Sequence, residues 1–461
     1  MKAFLSGIAG MGMSALAGLF KEAGYEVSGS DTQFYPPVGE ILTAMGVTLF
    51  SGFDEKNIPA DVDVVVLGNV IGRGNPEAEY ALDRNLEYYS QAEALYRFFI
   101  RSRASVVVAG THGKTTITAF VAYLLSAAGL DPGFFIGGKP RNFPANYRLG
   151  AGDHFVCEGD EYDTSFFDRT SKFLKYRPRF LILSALEYDH ADFFPSVEAY
   201  LKSFKELVRQ VPSTGLIVLN GDFDLGQRAV ESACTPIWTY GEKEGDFRIR
   251  DLRAVGYGYA FKLEGQGKVL ECRTMIPGKY NVWNLTAGIL LGLRLGIEAP
   301  IIAQACETFL GVERRFQKLN EIGETLFIED FAHHPTSIGE TLQSARESYP
   351  GREIVAVFEP RSWSLRRNVF QERLPQSFAP ADTVLMMEVF NKEKIPPAER
   401  LDVDALAKTL RKEGKTVNLF SEYKTLLDAL LKLDFSKPRV VMLLSNGPFG
   451  GIPGIIREFK K

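Results

Sequence analysis

The heptapeptide GTHGKTT, residues 110–116, has the residue types of a phosphate-binding loop but is two residues shorter than the usual G-x-x-x-x-G-K-[ST]. Backbone N–H groups from Gly110, Thr111, His112, Gly113 and Lys114 would surround nucleotide phosphates at a helix N-terminus, where partial positive charge favours anions. Lys114 would lie against the outer phosphates, and the Thr115 hydroxyl, followed by Thr116, would ligate Mg²⁺. A second cluster, CEGDEYD, sets Glu158, Asp160, Glu161 and Asp163 at the end of an apolar strand. A cation bridging phosphates needs hard oxygen ligands, and strand alternation leaves Glu158 at the tip, so Glu158 is the expected carboxylate.

Three further groups have chemistry in them. In LEYDHAD, His190 stands between Asp189 and Asp192; it is either a ligand for a second metal or an exposed loop histidine. In ERRF, Arg314 and Arg315 offer guanidinium forks suited to charge that develops in phosphoryl transfer. In EDFAHHPT, Asp330, His333 and His334 follow a strand; no second ligand pair lies nearby in sequence, so they read as ligand contacts, not as a zinc site.

The elements that must position these residues alternate between strand-like and helix-like stretches. ASVVVAG reads as a buried parallel strand, and TTITAFVAYLLSAAG as a helix closed by Gly129, which gives the loop its strand–turn–helix setting. Before it, KAFLS, GMSALAGLFKEAG, YEVSGSD, VGEILTAMG and VDVVVLGN argue for a doubly wound parallel sheet. Its first turn, GIAGMG, is spaced G-x-x-G-x-G and departs from the dinucleotide fingerprint; a nucleotide diphosphate fits it, with Asp31 ending the next strand, and NAD is not specifically indicated. Residues 245–275 look like a β insertion, and a third α/β alternation begins near residue 312. The expectation is an α/β chain of three consecutive modules, 1–101, 102–311 and 312–461, which also fits the length of 461 residues.

Composition sets outer limits. A net charge of −4 provides no global field toward nucleic acid or anionic membrane, so anionic ligands must be held locally. The N-terminal run MKAFLSGIAGMGMSALAG imitates a signal peptide, but its glycine spacing and the following strand favour a βαβ unit. No stretch approaches the ~20 apolar residues of a membrane span. Cys157, Cys234, Cys272 and Cys306 match neither a zinc pattern nor a disulfide framework, and favour free thiols in a reducing cytoplasm.

Taken in order and spacing, GTHGKTT, EGDEYD, EYDHAD, GKYNVWN, RRF and DFAHHPT resemble the Mur ligase family of ATP-dependent amide-forming enzymes, over essentially the whole chain. The resemblance implies a Rossmann-like UDP-sugar domain, a P-loop ATPase domain with a β insertion and a C-terminal Rossmann-like domain for the incoming amine. It implies ATP and Mg²⁺, with Lys114 on the outer phosphates, Thr115 and Glu158 on one Mg²⁺, and His190 serving a second. Asn281 and Asn284 fit positions that meet adenine, Arg315 the arginine near the γ-phosphate with Arg314 its competitor, and Asp330 a ribose contact. Gly10, Met11, Gly12, Asp31 and Asn69 are expected at the sugar nucleotide, and His334 and Arg361, with Arg366 and Arg367 as further choices, at the amine substrate. Lys202 and Lys205 do not align with the carbamylated lysine of other branches, so no carbamate is assigned.

Two branches act on UDP-N-acetylmuramate. FYPP at 34–37, GNVIGRGNPE at 68–77, GFFIGGKPRNF at 133–143, YDTSFFDRTSKFLKYRPR at 162–179, FEPRS at 358–362 and SNGPFGG at 445–451 favour the branch that attaches L-Ala-γ-D-Glu-meso-diaminopimelate over the one that adds L-alanine. The implied protein is cytoplasmic, a monomer or weak homo-oligomer, with small-molecule substrates and neither nucleic-acid nor membrane partners. A dehydrogenase built on the glycine turn and a nucleotide-dependent switch are the competing classes.

Overall fold

The computed structural model describes residues 1–34, 38–190, 193–243 and 245–460. Tyr35 to Pro37 of the FYPP stretch and Asp192 of LEYDHAD lie outside the described residues. Three separate parallel-rich sheets succeed one another along the chain, as an α/β reading requires. The first contains β1 (Lys2–Ser6), β2 (Glu26–Asp31), β3 (Thr48–Ser51), β4 (Val64–Leu67) and β5 (Tyr88–Ser90), all parallel in the order β3-β2-β1-β4-β5. The direction of winding reverses between β1 and β4. In doubly wound sheets such a reversal opens a ligand crevice at the strand carboxyl ends, here above the GIAGMG turn.

The central sheet has ten strands: β6 (Ala104–Ala109), β7 (Gly133–Phe135), β8 (Tyr147–Arg148), β9 (His154–Glu158), β12 (Phe180–Leu183), β13 (Leu216–Asn220), β14 (Ile237–Gly241), β15 (Phe247–Val255), β16 (Gly258–Gly265) and β17 (Lys268–Thr274). A small hairpin, β10 (Asp163–Ser165) with β11 (Asp168–Ser171), stands apart from it. β6 lies between β12 and β9 and is parallel to both, so the phosphate-binding loop leaves the middle of the sheet. Its sequence ASVVVA is buried on both faces from Ser105 onward, which suits β-branched residues without polar alternation. The insertion expected over 245–275 is the antiparallel meander β15–β17, which extends one edge of this sheet.

Helix Lys114–Ala127 follows the loop and packs on helix Lys279–Arg294 through Ile117, Phe120, Val121 and Leu124 against Val282, Leu285 and Ile289. Gly288 permits this approach, because a Cβ there would come within 2.6 Å of the Phe120 ring. The third sheet holds β18 (Gln317–Ile322), β19 (Thr325–Asp330), β20 (Glu353–Phe358), β21 (Thr383–Met387), β22 (Thr416–Phe420) and β23 (Arg439–Leu444) in the order β18-β19-β23-β20-β21-β22, with only the edge strand β18 antiparallel. All four cysteines are free thiols, three of them buried. Among the described residues, no helix is long and apolar enough to cross a membrane.

Candidate active site

A cleft of about 1380 Å³ runs from Met11 in the first segment, along the phosphate-binding loop, to Asp222 and Trp283, and is closed on its far side by Arg315, His333, His334 and Glu340. Its floor is the loop. Gly113 is in the left-handed region at φ 80° and caps the helix that begins at Lys114 without a side-chain partner, so the first helical N–H groups face the cleft. Thr111 N–H bonds the Ala185 carbonyl at 2.9 Å, and its hydroxyl bonds the Glu187 carbonyl at 2.6 Å, tying the loop to the end of the neighbouring strand.

Lys114 and the acidic cluster meet here. Lys114 Nζ donates to both oxygens of Glu161, at 2.9 and 2.8 Å, and to the Gly110 carbonyl at 2.6 Å. Burial opposes the charge on Lys114, but Glu161 outweighs it and raises the lysine's pKa. Thr115 Oγ donates to Glu158 Oε1 at 2.9 Å, while the Gly137 N–H holds the other oxygen. Burial pushes the Glu158 carboxyl up despite Lys114. The hydroxyl and the half-buried carboxylate present hard oxygens side by side at the phosphate end of the cleft, which fits a Mg²⁺ ligand pair. Lys114's partner, Glu161, belongs to the run EGDEYD, but alternation singled out the strand tip and missed it.

His190 has φ 58°, and its N–H bonds the Asp189 carboxylate at 2.7 Å. Its Nε2 lies 2.9 Å from Glu161 Oε1, and its ring packs at 4.4 Å from Tyr162. Burial disfavours the imidazolium, yet Glu161 and Asp189 outweigh burial and raise the pKa. In this state His190 is an ion-pair partner, and a metal would compete with its proton.

Around His334 the structure differs from the local reading. His112 Nε2 lies 2.7 Å from Glu187 Oε2, His334 Nδ1 lies 3.9 Å from the same oxygen, and the two imidazole rings are 4.9 Å apart. One ligating atom from each of these three residues falls within 4.8 Å of the others, so the sequence-local search for histidine companions missed a cluster drawn from three loops. Burial, reinforced by His112, depresses His334 to about 3, and burial depresses His333 to about 4, so both are neutral near pH 7. Glu187, opposed by burial but bonded to His112, is held down to about 2. Glu187 stands in the quoted LEYDHAD; the signal was its place as the first charged residue beyond the strand FLIL.

Of the two arginines, Arg314 is committed elsewhere. Its Nε pairs with Glu329 at 2.7 Å and its Nη2 donates to the Ser445 and Gly447 carbonyls. Arg315 packs on the Phe331 ring at 4.9 Å, and its charge partly offsets the burial that raises the Asp330 and Glu158 carboxyls. The Asp330 carboxylate accepts from the Phe316 and Ala332 N–H groups, at 2.7 and 2.8 Å, and so braces the turn that presents Arg315. Asn284 lines the cleft against Gly113, whereas Asn281 is not part of that lining: it bonds the Pro277 carbonyl and accepts from Asn284 at 2.9 Å, orienting its neighbour.

In the first segment Met11 lines the cleft, and Gly10 precedes helix Met11–Glu22 without a side-chain cap. Asp31 accepts from the Ala9 N–H at 2.9 Å and so shapes the glycine turn, Gly12 packs toward Gln91, and Asn69 is exposed just beyond β4. In the third segment Arg361 pairs with Glu359 at 3.3 Å and stacks on Phe390 at 3.7 Å, away from the cleft lining. Lys202 and Lys205 pair with Glu206 and Glu231 on helix Val197–Val208, also away from the cleft.

Comparison with known proteins gives three family matches in succession: Mur ligase family, catalytic domain, over residues 5–103; Mur ligase middle domain over 108–292; and Mur ligase, glutamate ligase domain, over 314–447. The UDP-N-acetylmuramate–L-alanyl-γ-D-glutamyl-meso-2,6-diaminoheptandioate ligase of Escherichia coli is 35% identical over 454 residues, 98% of this chain and 96% of that protein. A murein peptide ligase of Psychrobacter arcticus superposes with a TM-score of 0.73 at 30% identity, covering 100% of both chains. The UDP-N-acetylmuramate–alanine ligase of Thermotoga maritima superposes with a TM-score of 0.81 at 26% identity, covering 99% of this chain and 98% of that one.

Proposed function

Starting from the fact that this chain belongs to the Mur ligase family of ATP-dependent amide-forming ligases, we propose that it joins L-Ala-γ-D-Glu-meso-diaminopimelate to the lactyl carboxylate of UDP-N-acetylmuramate. The observation that carries the peptide as amine is the 35% identity, across 98% of the chain, to the Escherichia coli ligase whose name states that substrate. The competing amine, L-alanine, is kept in view by the higher structural similarity to the Thermotoga maritima enzyme.

The chemistry follows from the difficulty of the reaction. A carboxylate and an amine do not condense in water, so the sugar's carboxylate takes the γ-phosphoryl group of ATP, giving an acyl phosphate and ADP. The peptide's α-amine then attacks the acyl carbon, and phosphate leaves from a tetrahedral intermediate. With the Thr111 and His112 N–H groups turned to the Ala185 carbonyl, the N–H groups at Gly113 and Lys114 are the ones to hold the nucleotide phosphates, and Lys114 moves from its ion pair with Glu161 to the outer phosphates. Thr115 and Glu158 are the residues to hold Mg²⁺, which would neutralise phosphoryl charge. Arg315 stabilises charge on the transferring group. We assign sugar-nucleotide binding to residues 1–101, ATP to 102–311 and the amine to 312–461. The location of the cleft between these segments supports an arrangement that keeps water from the acyl phosphate.

The test is mass spectrometry of the products formed from ATP, Mg²⁺ and UDP-N-acetylmuramate with either L-alanine or the tripeptide. A UDP-muramoyl-tripeptide is the expected product; product with alanine alone would move the chain to the alanine-adding branch.

A further inference from the structure

Three side chains from separate loops meet where the central segment faces the third. His112 comes from the phosphate-binding loop, Glu187 from the loop after β12 and His334 from the loop after β19. His112 Nε2 lies 2.7 Å and His334 Nδ1 3.9 Å from the same oxygen, Glu187 Oε2, and one ligating atom of each residue lies within 4.8 Å of the others.

The hydrogen bonds around this group leave it short of positive charge. The Thr336 N–H donates to His334 Nδ1 at 3.3 Å, which puts the lone pair of that neutral ring on Nδ1 and its proton on Nε2, an atom buried without a partner. The Nδ1 lone pair therefore faces a carboxylate oxygen, acceptor against acceptor. Burial raises the carboxyl of Glu340, which feels His112 as an opposite charge and Glu187 as a like one. Arg373 compensates from the far side, 3.7 Å from Glu187 Oε1, and leaves Oε2 to the two histidines.

A cation seated among the three would turn the acceptor contact into coordination. Bonds of roughly 2.0–2.2 Å in a tetrahedron put ligand atoms ~3.4 Å apart, which side-chain movements of under ~1 Å each would reach. Two imidazoles with one carboxylate select a borderline transition ion over Mg²⁺, which prefers oxygen. Neutral His112 would carry its proton on Nδ1 once Nε2 takes the metal.

We propose that His112, Glu187 and His334 form a transition-metal site, of the class that takes Zn²⁺, which ties the phosphate-binding loop to the third segment and arrests ligation. The site is separate from the Thr115–Glu158 pair, which offers only oxygen, and it holds for either amine. The ion spans two sides of the cleft that must part for nucleotide and product to exchange, so turnover stops while it is bound.

The test is calorimetric titration of the full chain, first freed of metal by a chelator, with Zn²⁺ in the presence of excess Mg²⁺. One Zn²⁺ per chain is expected, bound at least a hundredfold more tightly than Mg²⁺. H112Q and H334Q should each weaken Zn²⁺ binding at least tenfold, whereas C234S, which removes the exposed thiol, should bind as wild type does. An unchanged circular dichroism spectrum reports that each variant is folded, and H112Q, at a half-buried loop position, carries the test if H334Q is not. Co²⁺ in place of Zn²⁺ should give the intense visible bands of a four-coordinate ion in the wild-type protein and lose them in both histidine variants. Saturating Zn²⁺ should lower turnover of the wild-type and C234S proteins at least tenfold, and a zinc-selective chelator should restore it. The site is overturned if the wild-type chain binds no Zn²⁺, if H112Q and H334Q bind it as tightly as wild type, if C234S abolishes binding, or if Co²⁺ shows only the weak bands of a six-coordinate ion. Turnover undiminished at saturating Zn²⁺ overturns the clamp.

Discussion

Arg314 and Arg315 are neighbours with the same charge, and their surroundings assign them different tasks. Both line the cleft and lie over Phe331, but Arg314 is locked between Glu329 and two backbone carbonyls, bonds that hold β19 to the end of β23, whereas the Arg315 guanidinium has no ion pair or hydrogen bond among the described residues. Arg314→Ala breaks a partly buried ion pair and is expected to destabilise the protein by about 2–4 kcal/mol while product still forms at a measurable rate. Arg315→Ala should leave the thermal unfolding midpoint nearly unchanged and lower kcat by about a thousandfold, as loss of an arginine at a transferring phosphoryl group does. Calorimetry and turnover on both variants check this, and an inverted pattern would exchange the two roles. The sequence could name the pair but not divide it, because Glu329 and Ser445 reach Arg314 only through the sheet. The same limit hid Glu161 and Glu187. They lie 47 and 75 residues from Lys114 and His112; nothing local distinguishes Glu161 from the other carboxylates in its run, and Glu187 has only its place as the first charged residue beyond FLIL. The place of Glu158 at the end of its strand was legible because a strand tip is a local property.

At the scale of elements, the phosphate-binding loop depends on two helices packed side by side. Gly113 has φ 80°, and a Cβ there would sit 2.2 Å from Asn284 Oδ1 on the second helix. Gly113→Ala is therefore strained twice, in its backbone and against a buried amide that Asn281 holds in place. An expected cost of about 1–3 kcal/mol falls on the loop. ATP affinity, read by isothermal titration calorimetry, should drop at least tenfold, with the far-ultraviolet circular dichroism of the three sheets preserved. Wild-type affinity would mean that the helix pair yields to admit the methyl group. This pairing also shows why the fold was readable where it was. Strand–helix alternation, the length of TTITAFVAYLLSAAG and the polar stretch at 245–275 are periodic signals, and they appear as β6, helix Lys114–Ala127 and the meander β15–β17. The order of strands within each sheet has no local periodicity. The position of β6 between β12 and β9, which brings Glu158 beside Thr115, emerges only when the sheet is assembled.

At the scale of the whole molecule, the cleft is closed by polar contacts between the central and C-terminal segments. Ser364 bonds Asp189, Arg373 lies 3.7 Å from Glu187, and His334 packs on His112. Neutral histidines suit this interface, because the groups facing them include the cations Arg315 and Arg373 as well as the carboxylates Glu187 and Asp189. Their depressed values fix the sign of a pH effect. Between about 6.5 and the folded-state values of about 3 and 4, the unfolded chain binds protons that His334 and His333 do not, so their contribution is full above pH 6.5 and is lost as pH falls. His190, whose pKa is raised by Glu161 and Asp189 against burial, acts in the opposite sense, contributing fully below its unfolded value and losing that contribution as pH rises through its folded one. Two histidines therefore oppose one, and acidification from pH 7 to 5 should lower the thermal unfolding midpoint by a few degrees. His334→Gln keeps a neutral side chain of similar reach and removes one of the two titrating groups. Its midpoint should vary less over the same range, as followed by differential scanning fluorimetry at constant ionic strength, and a slope identical to wild type would place the proton uptake at other groups. Once separated from Arg373 and the His112 ring, His334 regains its ordinary pKa and takes up at pH 5 a proton that the packed state does not bind, so acid should favour separation of the third segment from the second. Small-angle X-ray scattering should then show a larger radius of gyration at pH 5 than at pH 7 in the wild-type protein, and a smaller increase in the His334→Gln variant.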